Sequence, residues 1–423
     1  MELRSQQFAS SAQHADLHHL ALLLAAACNE TGLRALRNVP PPEGDGGRFT
    51  AYQEQRGRAR PLLWPAAREY AEKALPGPVG HAVVSVPTGA GKSSVAELAI
   101  AQALHSGWVL YLAPTNALVG QIRRHTADVF GRDIAREFLG GAEYTELTGE
   151  SMTVIEDRQV LVMTPEKCSL ALRQNPEAFA RLALCVVDEA HILGERNGRG
   201  VIAELVLAEI LHRAPGVHLL LLSALVANPG DLAEWLAHAT GIPAAVIDEP
   251  WRPTRTLRAV AGFDRSTLGD AAERALNALN AMPERRQNNK FTAPLGVLAS
   301  LQGAWRSTDP DDYSYVKTDI EVQLSVNRSF EIDSGGYFTR ASTALVQRLG
   351  EEGDRILAFL PRSKHDSFTA AESMGGFSTR PWDVGETAGA FLTLADAELG
   401  VPTVLRGILH KRVAVHTSAG LRT

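Results

Sequence analysis

Between Gly80 and Leu222 the chain alternates short unbroken apolar runs with longer stretches that read as helix. The runs are Ala82 to Val86, Trp108 to Ala113, Val160 to Met163, Ala183 to Val187 and Val217 to Leu222. A strand with one wet face alternates apolar and polar residues, whereas a run that stays apolar throughout needs cover on both faces. The pattern therefore predicts an α/β fold, a parallel sheet flanked by helices with right-handed crossovers.

The flanking segments follow other rhythms. An alanine- and leucine-rich stretch from about Ser5 to Leu36 predicts a helix, ended by Pro40, Pro41 and Pro42 and then Gly44, Gly46 and Gly47. Within it, His19 to Cys28 imitates the apolar core of a secretion signal, but Glu2, Asp16 and several histidines precede it where fixed positive charge is required. An amphipathic helix is the expectation there. Trp64 to Tyr70 predicts another helix, with Pro65 in its first turn. These shifts divide the chain into a helical extension and linker (1–63), an α/β domain (64–256), an insertion or linker (257–344) and a further α/β portion (345–423). The third segment holds charge clusters such as Glu284-Arg285-Arg286 and a β-like run around Ile320 to Ile332. In the fourth, Arg355 to Leu360 and Val413 to Val415 read as strands and a helix is expected from about Ser367.

Composition narrows the classes. With 423 residues, 45% hydrophobic and 21% charged, the chain is that of a folded protein of two or more domains, not a disordered or fibrous one. A net charge of −6 argues against passive electrostatic binding of a polyanion, though not against a local groove. Three well-separated cysteines, Cys28, Cys168 and Cys185, form neither a disulfide framework nor a zinc spacing, which favours a reducing, cytoplasmic setting. No apolar run reaches the ~18 residues of a membrane span, so no membrane partner is expected.

Two segments carry chemistry. Thr88, Gly89, Ala90, Gly91, Lys92, Ser93 and Ser94 lie between an apolar run and an alanine-rich helix. Glycines there let several backbone N–H groups turn inward, and the helix N-terminus adds positive partial charge, which together cradle phosphates. Lys92 can reach the β- and γ-phosphates and Ser93 can ligate magnesium. Val86 stands where the general phosphate-loop pattern opens with glycine. The apolar run at 183–187 then ends in Asp188-Glu189-Ala190-His191. Carboxylates at the carboxyl end of a buried parallel strand face the ligand crevice, placing Asp188 to hold magnesium and Glu189 to orient or deprotonate water.

The order of motifs resembles the superfamily 2 DEAD/DEAH-box (DExH) helicases. The series is Pro87 to Ser93, Ala113 to Val119 with Gln121, Thr148-Gly149-Glu150, Thr164 to Lys167, Asp188 to His191, and Ser223-Ala224. Arg196 to Gly200, Glu234-Trp235-Leu236 and Trp251-Arg252-Pro253 resemble the superkiller-type branch. The resemblance implies a RecA-like parallel sheet flanked by helices, complete in a first lobe and partial in a second. It implies ATP and Mg2+ as cofactors, ATP hydrolysis, and movement on or unwinding of single-stranded or partly duplex DNA or RNA. Pro114, Thr115, Thr148, Gly149, Thr164 and Pro165 would touch the strand's backbone, while His191, Ser223 and Ala224 would couple it to the nucleotide.

Three departures stand out. Leu225 replaces the family's threonine in the Ser-Ala-Thr motif. Ala66 and Ala67 fill the place of a base-reading glutamine. Arg355 to Pro361 and Arg412 to Leu421 resemble second-lobe motifs, but the final arginine-bearing motif is missing, so a truncated second lobe is expected. A nucleic-acid-stimulated ATPase switch without unwinding, or a chain that binds nucleotide and strand with little turnover, remains the alternative. DNA against RNA, polarity, pathway and any protein partner are left open.

Overall fold

The computed structural model describes residues 15–75, 80–137, 159–224, 226–253, 258–281, 288–300, 313–332, 337–360, 364–375, 389–390, 392–394, 396–397, 407–409 and 411–415. It divides into two compact units, Met1–Thr254 and Arg255–Thr423.

The first unit opens with α1 (Ala15–Arg34), α2 (Arg48–Ala59) and α3 (Pro65–Lys73). The α/β part follows in the order β1 (His81–Ser85), α4 (Lys92–Ala103), β2 (Trp108–Leu112), α5 (Asn116–Phe130), β3 (Ala135–Glu137), β4 (Val160–Met163) and α6 (Pro165–Gln174). It continues through β5 (Leu182–Asp188), α7 (Gly198–Arg213), β6 (His218–Ser223), α8 (Pro229–Thr240) and β7 (Ala244–Asp248). The strands form one seven-stranded sheet in the order β3-β4-β2-β5-β6-β1-β7. Every pairing in it is parallel.

The unbroken apolar runs have the cause the pattern predicted. Val84, Val109, Tyr111, Val186, Leu220 and Leu222 point to one face, into a core shared with α2, α3, α4 and α5. Val83, Leu110, Leu112, Cys185, Val187, Leu219 and Leu221 point to the other, against α6, α7 and α8. β1, β2, β5 and β6 are thus apolar on both faces. Phe49, Tyr52 and Leu63 join the first of these cores, so the segment ahead of α3 is packed into the same unit. Among the α1 side chains described, Ala21 and Ala25 are buried, while Leu20, Leu22, Leu23 and Leu24 are exposed. These four leucines therefore do not form the buried stripe that an amphipathic reading implies.

The second unit contains β8 (Arg258–Gly262), α9 (Arg265–Asn280), β9 (Asn288–Ser300), β10 (Tyr313–Asn327), α10 (Tyr337–Glu351) and α11 (Lys364–Ser373). The strands make an antiparallel sheet in the order β10-β9-β8. Ala293, Leu295, Ile320, Val322 and Leu324 form its core, packed by Leu268 of α9 and Ala341, Ala344 and Leu345 of α10. The segment that read as an insertion or linker thus has a core of its own.

Two expectations are corrected. Arg355 to Leu360 is not a strand, and Leu357 and Phe359 are 79% and 85% exposed. Val413 to Val415 is not a strand either. An apolar run becomes a strand only where a neighbour accepts its ladder hydrogen bonds, and neither run has such a neighbour among the described residues. No described helix is long and apolar enough to cross a membrane.

Candidate nucleotide and strand site

The residues with chemistry gather where the parallel strands end. Beyond β1, Val86 N donates to Ser223 O at 3.0 Å, tying the start of the loop to β6. The loop turns through Gly89 (φ 83°) and Gly91 (φ 107°), conformations that side chains resist. Gly91 is the N-cap of α4, so Lys92 and Ser93 begin the helix and its free N–H groups face the loop. Ala90 is buried and its N–H donates to Pro87 O at 3.0 Å, while Thr88 and Ser93 are exposed. Lys92 Nζ donates to Val86 O at 3.4 Å across the loop.

The acids end β5. Asp188 Oδ2 accepts from the Tyr111 hydroxyl at 3.4 Å, and Oδ1 accepts from Glu189 N at 3.0 Å. Burial and then the neighbouring Glu189 charge push the Asp188 carboxyl above its ordinary value, only partly countered by the Glu189 N–H, Lys92 and Tyr111. Such a carboxylate gains from a cation. Glu189 itself sits at φ 51°, ψ 51°, one of the few positive-φ residues that are not glycine. That left-handed turn costs about 1–2 kcal/mol. A short 3-10 turn, Ala190–Ile192, follows with Glu189 as its N-cap.

One cleft of about 730 Å³ brings Thr88, Gly89, Gly91, Lys92, Ser93, Ser94, Asp188 and Glu189 together. Among the described residues no cluster of three or more His, Cys, Asp or Glu could hold a metal alone. One carboxylate and one hydroxyl fit magnesium, which completes its shell with phosphate oxygens and water.

The residues expected to couple the two sites also meet. His191 Nδ1 lies 3.2 Å from Glu189 Oε2 and 3.3 Å from Ser223 Oγ. Ser223 pairs with Ser85 across the β6–β1 ladder, and Ser85 Oγ donates to Val226 O at 3.2 Å. Ala224 follows directly, half-buried, and Leu225 lies outside the described residues.

Of the strand-contact candidates, Thr115 and Thr164 are both helix N-caps. Thr115 Oγ1 accepts from Leu118 N at 3.3 Å and Thr164 Oγ1 from Lys167 N at 3.5 Å. Thr115 is exposed, whereas Thr164 and Pro165 are buried. Thr148, Gly149 and Glu150 lie outside the described residues. Arg199 links two of these places: its guanidinium donates to Pro114 O and to Glu166 Oε1, the latter at 2.9 Å. The basic Arg196 to Gly200 segment was visible in sequence, but not where its arginine reaches.

Sequence reasoning missed a second group altogether. Leu36, Tyr52, Arg56, Arg60 and Trp64 line the same cleft. Arg56 makes a two-pronged ion pair with Glu97 of α4, Nη2 to Oε1 at 2.6 Å and Nε to Oε2 at 2.7 Å. His125 of α5 meets Glu97 Oε1 at 2.8 Å, so one buried carboxylate holds α2, α4 and α5 together. Burial alone would raise Glu97, but the bonds from His125 and Arg56 bring it below its ordinary value. The sequence signal was a glutamate amid the apolar residues of an alanine-rich helix.

Residues 65–232 match the DEAD/DEAH box helicase family. The ATP-dependent DNA helicase Hel308 of Pyrococcus horikoshii is 30% identical over 196 residues, 43% of this chain and 23% of that protein. The DExH-box ATP-dependent RNA helicase DExH10 of Arabidopsis thaliana is 32% identical over 173 residues, 41% of this chain and 16% of that protein. The chain thus spans less than a quarter of either relative. Among solved structures, Mycobacterium smegmatis helicase Lhr bound to ssDNA and AMP-PNP aligns at 22% identity with a TM-score of 0.40, over 54% of this chain and 32% of that one.

Proposed function

We propose, from the match of residues 65–232 to the DEAD/DEAH box helicase family, that this chain hydrolyses ATP to move along or unwind a nucleic-acid strand. The observation that carries the reading is the His191 link. The loop of Lys92 and the acids Asp188 and Glu189 share one cleft, and His191 joins Glu189 to Ser223. A nucleotide binder without a coupled motion has no use for that link.

In this reading the N–H groups at Gly89 to Ser94 and the Lys92 ammonium hold the β- and γ-phosphates. Ser93 and Asp188 would hold Mg2+, whose chemistry when bound is to neutralise developing phosphate charge. Glu189 orients a water against the γ-phosphorus and accepts its proton. His191 carries the change at Glu189 to Ser223 and to the backbone at Ala224 and beyond. Pro114, Thr115 and the first turn of α6 touch a strand's phosphates. Because Thr164 is buried and capping, the grip there falls to backbone N–H groups rather than its hydroxyl.

ATP hydrolysis by this chain, without nucleic acid and with single-stranded DNA or RNA, tests the proposal. Stimulation by one strand, lost in Glu189→Gln while nucleotide binding persists, is expected, and the strand that stimulates identifies the substrate. Lys92→Ala should instead weaken nucleotide binding. Equal loss of binding in both variants, or strand binding with no salt dependence, would refute it.

A further inference from the structure

We propose that Arg199 is a positioning residue for strand binding: it ties down the Pro114 carbonyl and cancels the Glu166 charge in the first turn of α6, without touching the strand itself. The inference rests on the strand reading above and deepens it.

Arg199 stands in the first turn of α7, and that turn is fixed from behind. The N-cap Asn197 accepts from Arg199 N at 3.0 Å and from Gly200 N at 2.9 Å, and its own Nδ2 donates to Glu195 Oε2 at 2.7 Å. Gly200 is buried against the segment after the acids, where an added carbon would collide with Glu195 O and Ile192 O. Ile192 N in turn donates to Glu189 O at 3.0 Å. The arginine is thus seated on the segment that follows Asp188 and Glu189. From there it reaches two other strand ends, Pro114 after β2 and Glu166 after β4.

The first contact sets a backbone direction. The Pro114–Thr115 peptide is trans, and in a trans peptide the C=O and the following N–H point opposite ways. With Pro114 O held by the guanidinium, the Thr115 N–H faces away from it, at the N-cap of α5. A helix N-terminus receives anions through its N–H groups, so fixing this peptide fixes one edge of the grip.

The second contact removes a charge. Glu166 lies in the first turn of α6, where a bare carboxylate would repel an arriving phosphate. Burial alone would raise its carboxyl, but the bond from Arg199, its own backbone N–H and Thr164 bring it below the ordinary value, so it stays ionised. Arg199 Nε, 2.9 Å from Glu166 Oε1, neutralises it. The two side chains are 48% and 39% exposed, and exposed ion pairs add little to stability. The pair therefore serves the loops it joins more than the fold. Gripping a phosphate directly would oblige the guanidinium to leave Glu166 or Pro114 O.

The test measures the affinity of the full chain for labelled single-stranded DNA or RNA, whichever stimulates it, over a range of salt concentrations. Arg199→Ala should weaken strand binding about tenfold, with the slope of log affinity against log salt unchanged. The urea midpoint should hardly move. In ATP hydrolysis the variant should need more strand for half-maximal stimulation while the stimulated maximum is kept. Adding Glu166→Gln should recover about threefold of the loss, because it removes the bare charge but leaves the Pro114 carbonyl loose. A slope reduced by about one, with no recovery in the double variant, would mean that Arg199 grips a phosphate itself and would overturn the inference. An affinity that Arg199→Ala leaves unchanged would overturn it too. Failure of the unaltered chain to bind either strand would instead overturn the strand reading.

Discussion

Replacing Arg56 by methionine keeps the apolar stem of the side chain and removes the charge that faces Glu97. Glu97 is 4% exposed at its side chain and Arg56 16%, so the pair belongs with buried rather than surface ion pairs. Removing one partner of a buried pair costs roughly 3–5 kcal/mol, because the charge left behind has lost its water without a replacement. His125 stays 2.8 Å from Glu97 Oε1 and shares the load, which places the cost at the lower end, about 3 kcal/mol. For a unit of this size that lowers the melting temperature by roughly 6–12 °C. The assay is urea unfolding followed by tryptophan fluorescence. Acid should narrow the gap. Glu97 lies below its ordinary value when folded, so its contribution is present at neutral pH and disappears as pH falls through the folded value. Adding Glu97→Gln to Arg56→Met removes the orphaned charge and should recover at least half of the loss. A cost below about 1 kcal/mol, the range of exposed pairs, would refute the reasoning, as would a double variant no more stable than Arg56→Met.

Gly91→Val should cost nucleotide affinity at least tenfold with little change in the rest of the unit. It forces a branched side chain to φ 107° and drives it into Trp64, and normal binding in a titration would contradict the loop geometry. Stability should also fall between pH 6.5 and about 4 on account of His81, which burial and then His218 push down to about 4. A depressed folded value means the unfolded chain binds the proton first, so stability is complete above the ordinary value and declines on acidification, by about 3 kcal/mol at most. The structural reason is that His81 Nδ1 accepts from Leu219 N at 3.1 Å, leaving no room for a second ring proton. His81→Asn should flatten that limb of the urea-midpoint profile; an unchanged slope would count against it.

The order of motifs along the chain was legible because each sits at the end of a buried run. Asp188 ends β5 and Lys92 begins the helix after β1, and the unbroken apolar character of those strands already demanded cover on both faces. Local patterns of this kind are set by near neighbours, and sequence alone determined them: an α/β first unit, a glycine-bearing loop between a strand and a helix, a pair of acids at a strand end and the spacing between them. The same reasoning failed at Arg355 to Leu360, where apolar character was right for a strand but no partner among the described residues accepts its ladder. It also left the role of residues 36–64 blank. Arg56 and Glu97 are 41 positions apart and Trp64 and Gly91 are separated by a full strand, so only the packed chain reveals that they meet. The tertiary structure alone decided that Glu97 is a buried junction of three helices and that an aromatic ring roofs the loop. It likewise placed Thr164, one of the expected strand contacts, as the buried N-cap of α6. Contacts between distant segments are fixed by the shape of the whole core, which no local period encodes.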